Sequence, residues 1–291
     1  MSIITENSNP QTWDIDMQNG HEIARLINAE DKKVALAVEK VIPQIGLAID
    51  KIAERLRNGG RMAYFGAGTS GRIGILDASE MPPTFGVSPD MVQGYIAGGE
   101  DAVRKAVENA EDNFKLAEID FNSFNPNKND VIIAISASGN PVYTLKILQM
   151  AKSVNALSIA VTSNPQAAFK PYADIFLCVE LGAEAITGSS RMKSGTAQKM
   201  ILNMLSTGAM ISLGKTYHNY VIDLQTNNAK LRTRAVNIIK EISGTDEQTA
   251  KKTLDIAGSV KTACIMIIKS CSKEEAEALL QKNDGILRRI I

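Results

Sequence analysis

Three short stretches carry residue types that could do chemistry. Gly66-Ala67-Gly68-Thr69-Ser70-Gly71 sets three glycines and two hydroxyls in six positions, directly after the apolar run 62–65. Arg72 to Ser79 then reads as the opening of a helix. A glycine- and hydroxyl-rich turn feeding a helix N-terminus offers unpaired backbone N–H groups and a positive dipole end to an anion. A phosphate suits it. The spacing is not that of a Walker loop, since Gly-x-x-x-x-Gly-Lys-Ser/Thr is absent, and a turn that merely reverses the chain is the plain alternative. The second stretch, Ser136-Ala137-Ser138-Gly139-Asn140, follows another apolar run, 131–135. In open parallel sheets ligands bind beyond the carboxyl ends of the strands, so the two turns share one rim. Gly66, Gly68, Thr69 and Ser70, with Ser136, Ser138 and Gly139, are therefore candidate phosphate ligands; ordinary turn and capping chemistry is the competing role for the serines. The third stretch runs from Gly182 to Lys199 and places Ser189, Arg191 and Lys193 ahead of a long apolar helix. It suits an oxyanion or sugar hydroxyls, although exposed cations also pair with surface carboxylates at little gain.

The elements that must position these turns follow from periodicity. Short runs rich in Ile, Val and Ala occur at 62–65, 92–96, 131–135, 156–161 and 175–179, with helical stretches at 72–80, 101–118, 141–152 and 166–171 between them. Strands alternating with helices predict an α/β fold, a parallel five-stranded sheet sandwiched by helices in three layers. Residues 1–20 are polar and read as a flexible or loosely docked arm in which Trp13 is the large apolar anchor. Residues 21–58 form an N-terminal helical segment in which Pro43 marks a kink or a restart. The α/β domain spans 59–217, ending in a long helix at 193–213. Past Lys215 no strand is expected. Residues 218–291 read as a helical subdomain with helices near 228–242, 246–257, 259–271 and 273–282. Thr245 with Gln248, and Ser272 with Glu275, have capping-box spacing, and Gly244 suits a helix end.

Bulk properties exclude several classes. Lys plus Arg and Asp plus Glu are 32 each, so no net field draws nucleic acid or an anionic membrane. Aromatic residues make up 5%, which argues against base stacking. Cys178, Cys264 and Cys271 have no metal-ligand spacing and read as free thiols in a reducing compartment. No apolar run approaches ~18 residues, and the polar, acidic first twenty residues do not resemble a signal peptide, so a cytoplasmic location is expected.

The order of motifs then becomes specific. Gly-Ala-Gly-Thr-Ser-Gly-Arg, Asp-Ala-Ser-Glu with Pro-Pro-Thr-Phe-Gly, Ile-Ala-Gly-Gly, and Ala-Glu-Asp at 110–112 occur in sequence. Ile-Thr-Gly-Ser-Ser-Arg-Met-Lys-Ser-Gly-Thr-Ala-Gln-Lys and Asn-Met-Leu-Ser-Thr follow. Over roughly residues 20–290 this resembles the N-acetylmuramic acid 6-phosphate etherases, sugar isomerase (SIS) domain proteins related to the glucokinase regulatory protein. The resemblance implies an SIS domain, no cofactor or metal, and a carbon–oxygen lyase that cleaves a D-lactyl ether in cell-wall recycling. It also implies catalytic roles for Glu80, in Asp-Ala-Ser-Glu, as proton donor, and for Glu111, in Ala-Glu-Asp, as the second acid/base group. The chemistry accounts for a pair. In the open-chain sugar the C2 proton is alpha to an aldehyde and the lactyl ether at C3 is a beta leaving group, so a base and an acid achieve elimination before water adds. One carboxyl must start neutral and the other ionised. Glu80 is expected neutral beside Ile75, Leu76 and Met81, and Glu111 ionised.

On a helix over 101–118, Glu111 borders an apolar face made by Val103, Ala106, Val107, Ala110, Phe114 and Ala117. That helix would carry Glu111 about 15 Å from the rim at ~1.5 Å per residue. Either the helix starts later or the site lies between subunits, and a homodimer whose partner completes the site is favoured. Asn140-Pro141-Val142-Tyr143 departs from the family's usual Arg-Thr-Pro-Tyr, and Met81 stands where cysteine is frequent. His21 and His218 fall in no motif and are rejected as catalytic. A sugar-phosphate isomerase, or a sensor that binds sugar phosphate without turnover, are the competing functions.

Overall fold

The computed structural model describes residues 6–224 and 229–291 of the chain. They form two compact units, residues 6–79 with 89–206, and residues 80–88 with 207–224 and 229–291.

In the first unit, α1 (Gly20–Glu39) starts where Asn19 accepts a hydrogen bond from the Glu22 N–H, and α2 (Ile42–Arg57) restarts the helix at Pro43. Proline is tolerated in a first turn because its missing N–H has no partner there anyway. Five strands follow: β1 (Met62–Gly66), β2 (Val92–Ile96), β3 (Val131–Ile135), β4 (Leu157–Thr162) and β5 (Ile175–Cys178). They pair in parallel in the order β2-β1-β3-β4-β5. Every residue of β1, β3 and β4 is buried, which is why these runs are apolar without alternation. The connecting helices are α3 (Gly68–Phe85), α4 (Gly99–Arg104), α5 (Phe114–Phe124), α6 (Val142–Ser153) and α7 (Lys193–Ser212).

Close approach explains two of the glycines. A Cβ on Gly71 would lie 2.6 Å from Ile96 Cγ1, and one on Gly94 would lie 2.7 Å from the Ile75 Cα, so α3 rests almost directly on β1 and β2. Phe65, Phe121, Phe124, Tyr143 and Ile147 fill one side of the sheet. On the other, the Tyr64 phenol donates to Asp77 (2.7 Å), whose second oxygen accepts from Asn203 (2.7 Å) and Ser206 (3.2 Å). Burial, then the Asp77 charge, push that phenol well above its ordinary pKa and keep it a donor.

Three expectations for this unit need correction. No single helix covers 101–118. Its carbonyls at Ala102, Val103 and Lys105 turn to the Arg72 guanidinium (2.8, 2.9 and 3.0 Å), Asn109 adopts φ 60°, and Asn113 caps a new helix at Phe114. The stretch 166–171 yields only a 3-10 turn at Lys170–Tyr172. The N-terminal arm, from residue 6 onward, is docked rather than loose. The Thr12 hydroxyl donates to the Ala185 carbonyl (2.7 Å) and the Asn9 amide to that of Ala183 (3.4 Å), whereas Trp13, the expected anchor, is 72% exposed. Residues 1–5 lie outside the described residues.

The second unit contains a small antiparallel hairpin, β6 (Thr216–Tyr217) with β7 (Tyr220–Val221), where no strand was expected. Its two-residue arms are too short to show alternation. α8 (Ala229–Ser243), α9 (Glu247–Ala257), α10 (Val260–Lys269) and α11 (Lys273–Lys282) pack around Ile222, Val236, Ile239, Leu254, Cys264 and Leu287. The expected start of α8 at Asn228 lies outside the described residues. Ser272 and Glu275 form the expected capping box, but Asp246, not Thr245, caps α9 by accepting from the Gln248 and Thr249 amides. Burial pushes the Cys264 thiol up to about 12, so it acts as a small apolar residue. Among the described residues, no helix is long and apolar enough to cross a membrane.

Candidate active site

The strand order reverses direction at β1. From there α3 leads to β2 on one side, while β3 to β5 continue on the other. Loops leaving the carboxyl ends of β1 and β3 must therefore diverge, and the gap between them is the usual ligand position of such sheets. A cavity of about 350 Å³ occupies it, and all its walls come from the first unit.

Ala67, Gly68, Thr69 and Ser70 form one wall, and Ser136, Ala137, Ser138 and Pro141 another. The first wall is the N-terminal turn of α3, which supplies backbone donors and a partial positive charge. In the second, the Ser136 Oγ accepts from the Gly139 N–H (3.0 Å) and the Ser138 Oγ from the Asn140 N–H (3.3 Å). With an acceptor site on each oxygen occupied, each hydroxyl still has its proton to donate. Gly139 makes this turn possible: its φ is +67°, and a Cβ there would lie 2.3 Å from that of Ala167. Both serine loops thus present donors to one space.

Glu111 enters the same cavity and also a second of about 260 Å³, which shares Ala67 and Gly68 and is otherwise walled by Arg72, Ala97 and residues of 102–110. It sits in the irregular segment between α4 and α5 rather than on a helix. That segment is held at both ends. Arg72 grips the carbonyls at the end of α4, and the Tyr143 N–H donates to the Glu111 carbonyl (2.9 Å) while the Tyr143 phenol donates to Asp120 on α5 (2.6 Å). The later helix start brings Glu111 to the rim within one chain. Its distance no longer argues for a site between subunits.

The other expected residues divide. Gly66 is buried at the end of β1, where its carbonyl accepts from the Ala97 N–H (3.0 Å), and Gly139 shapes its turn from behind; neither lines the cavity. From the third stretch, Gly188 and Ser190 form the wall, not Ser189 or the exposed Arg191. Lys193 is a correction. Its side chain is 1% exposed, and its ammonium is paired with Glu30 (2.6 Å) and bonded to the Leu181 carbonyl (3.0 Å). Its N–H and that of Ser194 are capped by the buried Glu184 carboxylate, both at 2.9 Å. Lys193 braces the start of α7 instead of facing a ligand. Glu80 is exposed on α3, at the residue where the second unit begins, and Leu76 one turn earlier is 53% exposed. Burial, which would favour a neutral carboxyl, is not what the chain gives Glu80.

Sequence reasoning missed Glu6, which lines the larger cavity, and the clamping role of Arg72. Arg72 stood inside a quoted motif, so its type and position were visible. Nothing in the spacing around Glu6, an acid in a polar stretch, distinguishes it.

Comparison with known proteins accords with this geometry. The glucokinase regulatory protein N-terminal SIS domain matches residues 44–152, and the SIS domain matches 114–208. The phosphoheptose isomerase structures from Francisella tularensis and Neisseria gonorrhoeae share the fold. They have TM-scores of 0.52 each, with 18% and 16% identity, over 67% and 66% of this chain and 100% and 98% of theirs. Much nearer in sequence are N-acetylmuramic acid 6-phosphate etherases. That of Glaesserella parasuis serovar 5 is 48% identical over 99% of this chain and 95% of its own. That of Caldanaerobacter subterraneus subsp. tengcongensis is 48% identical with the same coverage. That of Photorhabdus laumondii is 47% identical over 100% of this chain and 97% of its own. Identity of this level, sustained from end to end over a fold that carries the site, makes this chain a member of the N-acetylmuramic acid 6-phosphate etherase family.

Proposed function

We propose that this protein cleaves the D-lactyl ether of N-acetylmuramic acid 6-phosphate, giving N-acetylglucosamine 6-phosphate and D-lactate. The observation that carries the reading is the cavity at the β1/β3 divergence, where two donor-lined turns suited to a phosphate meet the Glu111 carboxylate. In the open-chain sugar, Glu111 takes the C2 proton. The electron pair forms the C2–C3 double bond, the C3–O bond breaks, and the departing lactate oxygen receives a proton from Glu80. Water then adds at C3, giving its proton to the Glu80 carboxylate, while Glu111 returns a proton to C2. Both carboxyls finish as they began. The role of Glu80 rests on its motif, Asp-Ala-Ser-Glu. The reading extends to a cytoplasmic homodimer that needs no cofactor, with a partner subunit contributing to each site because Glu80 is exposed on its own chain.

D-lactate released from N-acetylmuramic acid 6-phosphate by the purified protein tests the activity; ketose formation without lactate would assign an isomerase instead. In heavy-oxygen water the label must appear at C3 of the sugar and not in lactate. A shared site predicts that inactive Glu80→Ala and Glu111→Ala chains regain activity when mixed and allowed to exchange subunits. Failure of mixed chains that co-purify as dimers to regain any would remove the sharing.

A further inference from the structure

The elimination leaves one cavity-lining carboxylate without a task. Among the described residues, Glu6 and Glu111 are the two acids in the walls of the larger cavity. Glu6 is brought there by a built attachment: Asn9 and Thr12, both buried, tie the N-terminal segment to the carbonyls of Ala183 and Ala185. The Asn9 side chain also accepts from the Gln11 N–H (3.0 Å), fixing the short helical turn that follows. The Glu6 carboxylate then rests against Gly188, so closely that a Cβ on Gly188 would lie 2.9 Å from its Oε2.

A carboxylate is the wrong group for the phosphate end of a ligand. It repels an anion, and it can only accept hydrogen bonds. The turns at 67–70 and 136–138 already supply donors for that end. What an acceptor in this wall can serve is an uncharged part of the ligand that carries donors. We infer that Glu6 is a specificity residue which accepts a hydrogen bond from a hydroxyl or amide N–H of the sugar body. The inference rests on the proposed function in taking the ligand to be an amino-sugar phosphate.

The test compares binding of N-acetylglucosamine 6-phosphate and of inorganic phosphate by calorimetry. Glu6→Ala weakens the sugar phosphate about tenfold or more, the scale of a lost bond to a charged acceptor, and leaves inorganic phosphate unchanged or tighter because a repelling charge is gone. Glu6→Gln keeps one acceptor oxygen and the same size, so it weakens the sugar phosphate less; it also replaces the alanine variant if that one misfolds. Thermal midpoints of both stay at the wild-type value, since the Asn9 and Thr12 attachments remain. Sugar phosphate binding within twofold of wild type in Glu6→Ala overturns the inference. So does tighter binding of both ligands, which would make Glu6 a competitor for the anion turns, or equal weakening of both, which would make it a brace. Absence of sugar phosphate binding by the wild type also overturns it. A wild type that binds with this selectivity yet releases no D-lactate refutes the etherase reading and leaves Glu6 in place.

Discussion

Replacing Lys193 separates a bracing role from a ligand-binding one. In Lys193→Met the Glu30 carboxylate keeps only Lys33, a half-exposed lysine, as its ionic partner. Removing one member of a buried pair destabilises by roughly 3–5 kcal/mol, and the surviving Lys33 contact puts this variant near the lower end, about 3 kcal/mol. Glu30→Gln strands an ammonium with the Leu181 carbonyl and the new amide, so its effect falls higher in that range. Removing both charges together leaves none uncompensated. The double variant should therefore recover about 2 kcal/mol or more relative to the sum of the singles. Urea unfolding of the four proteins measures this directly. A pH series adds a sign. Burial works to raise the Glu30 carboxyl, but Lys193 and Lys33 outweigh it and hold it below the ordinary 4.5. Such a group stabilises above its unfolded value, and the contribution is lost as pH falls through the lower folded value. Wild type therefore loses stability below about pH 4.5 more steeply than Glu30→Gln. KM for the phosphorylated substrate stays within about threefold in folded Lys193→Met, because the ammonium faces no ligand. An unchanged urea midpoint with a hundredfold rise in KM would refute this reasoning.

Glu80→Gln and Glu111→Gln should each lower kcat by at least about a hundredfold while the thermal midpoint holds; near-normal turnover in both, measured by coupled D-lactate detection, would end the acid–base assignment. Arg72→Met frees the three carbonyls at the end of α4, loosens the segment carrying Glu111, and lowers kcat about tenfold to a hundredfold. Arg72→Lys does not restore it, since an ammonium lacks the planar fork that reaches all three; full rescue by lysine would show that charge alone matters. Gly139→Ala forces alanine into φ +67° at about 1–3 kcal/mol and overlaps Ala167, so stability and phosphate affinity fall together in unfolding and binding titrations. A variant with wild-type phosphate affinity would detach the Ser136 turn from the site.

The parts legible in the sequence were those governed by neighbours along the chain. A fully buried strand needs an apolar run, and β1 to β5 all fall within two residues of their expected bounds. The donor turns at 66–71 and 136–140 were legible for the same reason: glycine at a positive φ and a serine accepting from an amide two or three residues on are local arrangements. The hairpin β6–β7 was not, because two-residue strands carry no periodicity.

What the sequence hid was decided over long separations. Lys193 in its serine-rich stretch reads as a ligand only until Glu30, 163 residues earlier, takes its charge. The apolar spacing over 101–118 is that of a helix, and only Asn109, at φ 60°, and Asn113, the cap of α5, speak against it locally. The break is held by Arg72, about thirty residues upstream, which occupies the last carbonyls of α4 in place of the next helical turn. That single guanidinium changes the reading of the site. With a continuous helix, Glu111 is too distant and a second subunit must be invoked to explain it; with the helix broken, Glu111 reaches the rim within one chain. Any case for a partner subunit then rests on Glu80 alone, so exchange between Glu80→Ala and Glu111→Ala chains becomes the decisive measurement of whether one chain supplies the acid as well as the base.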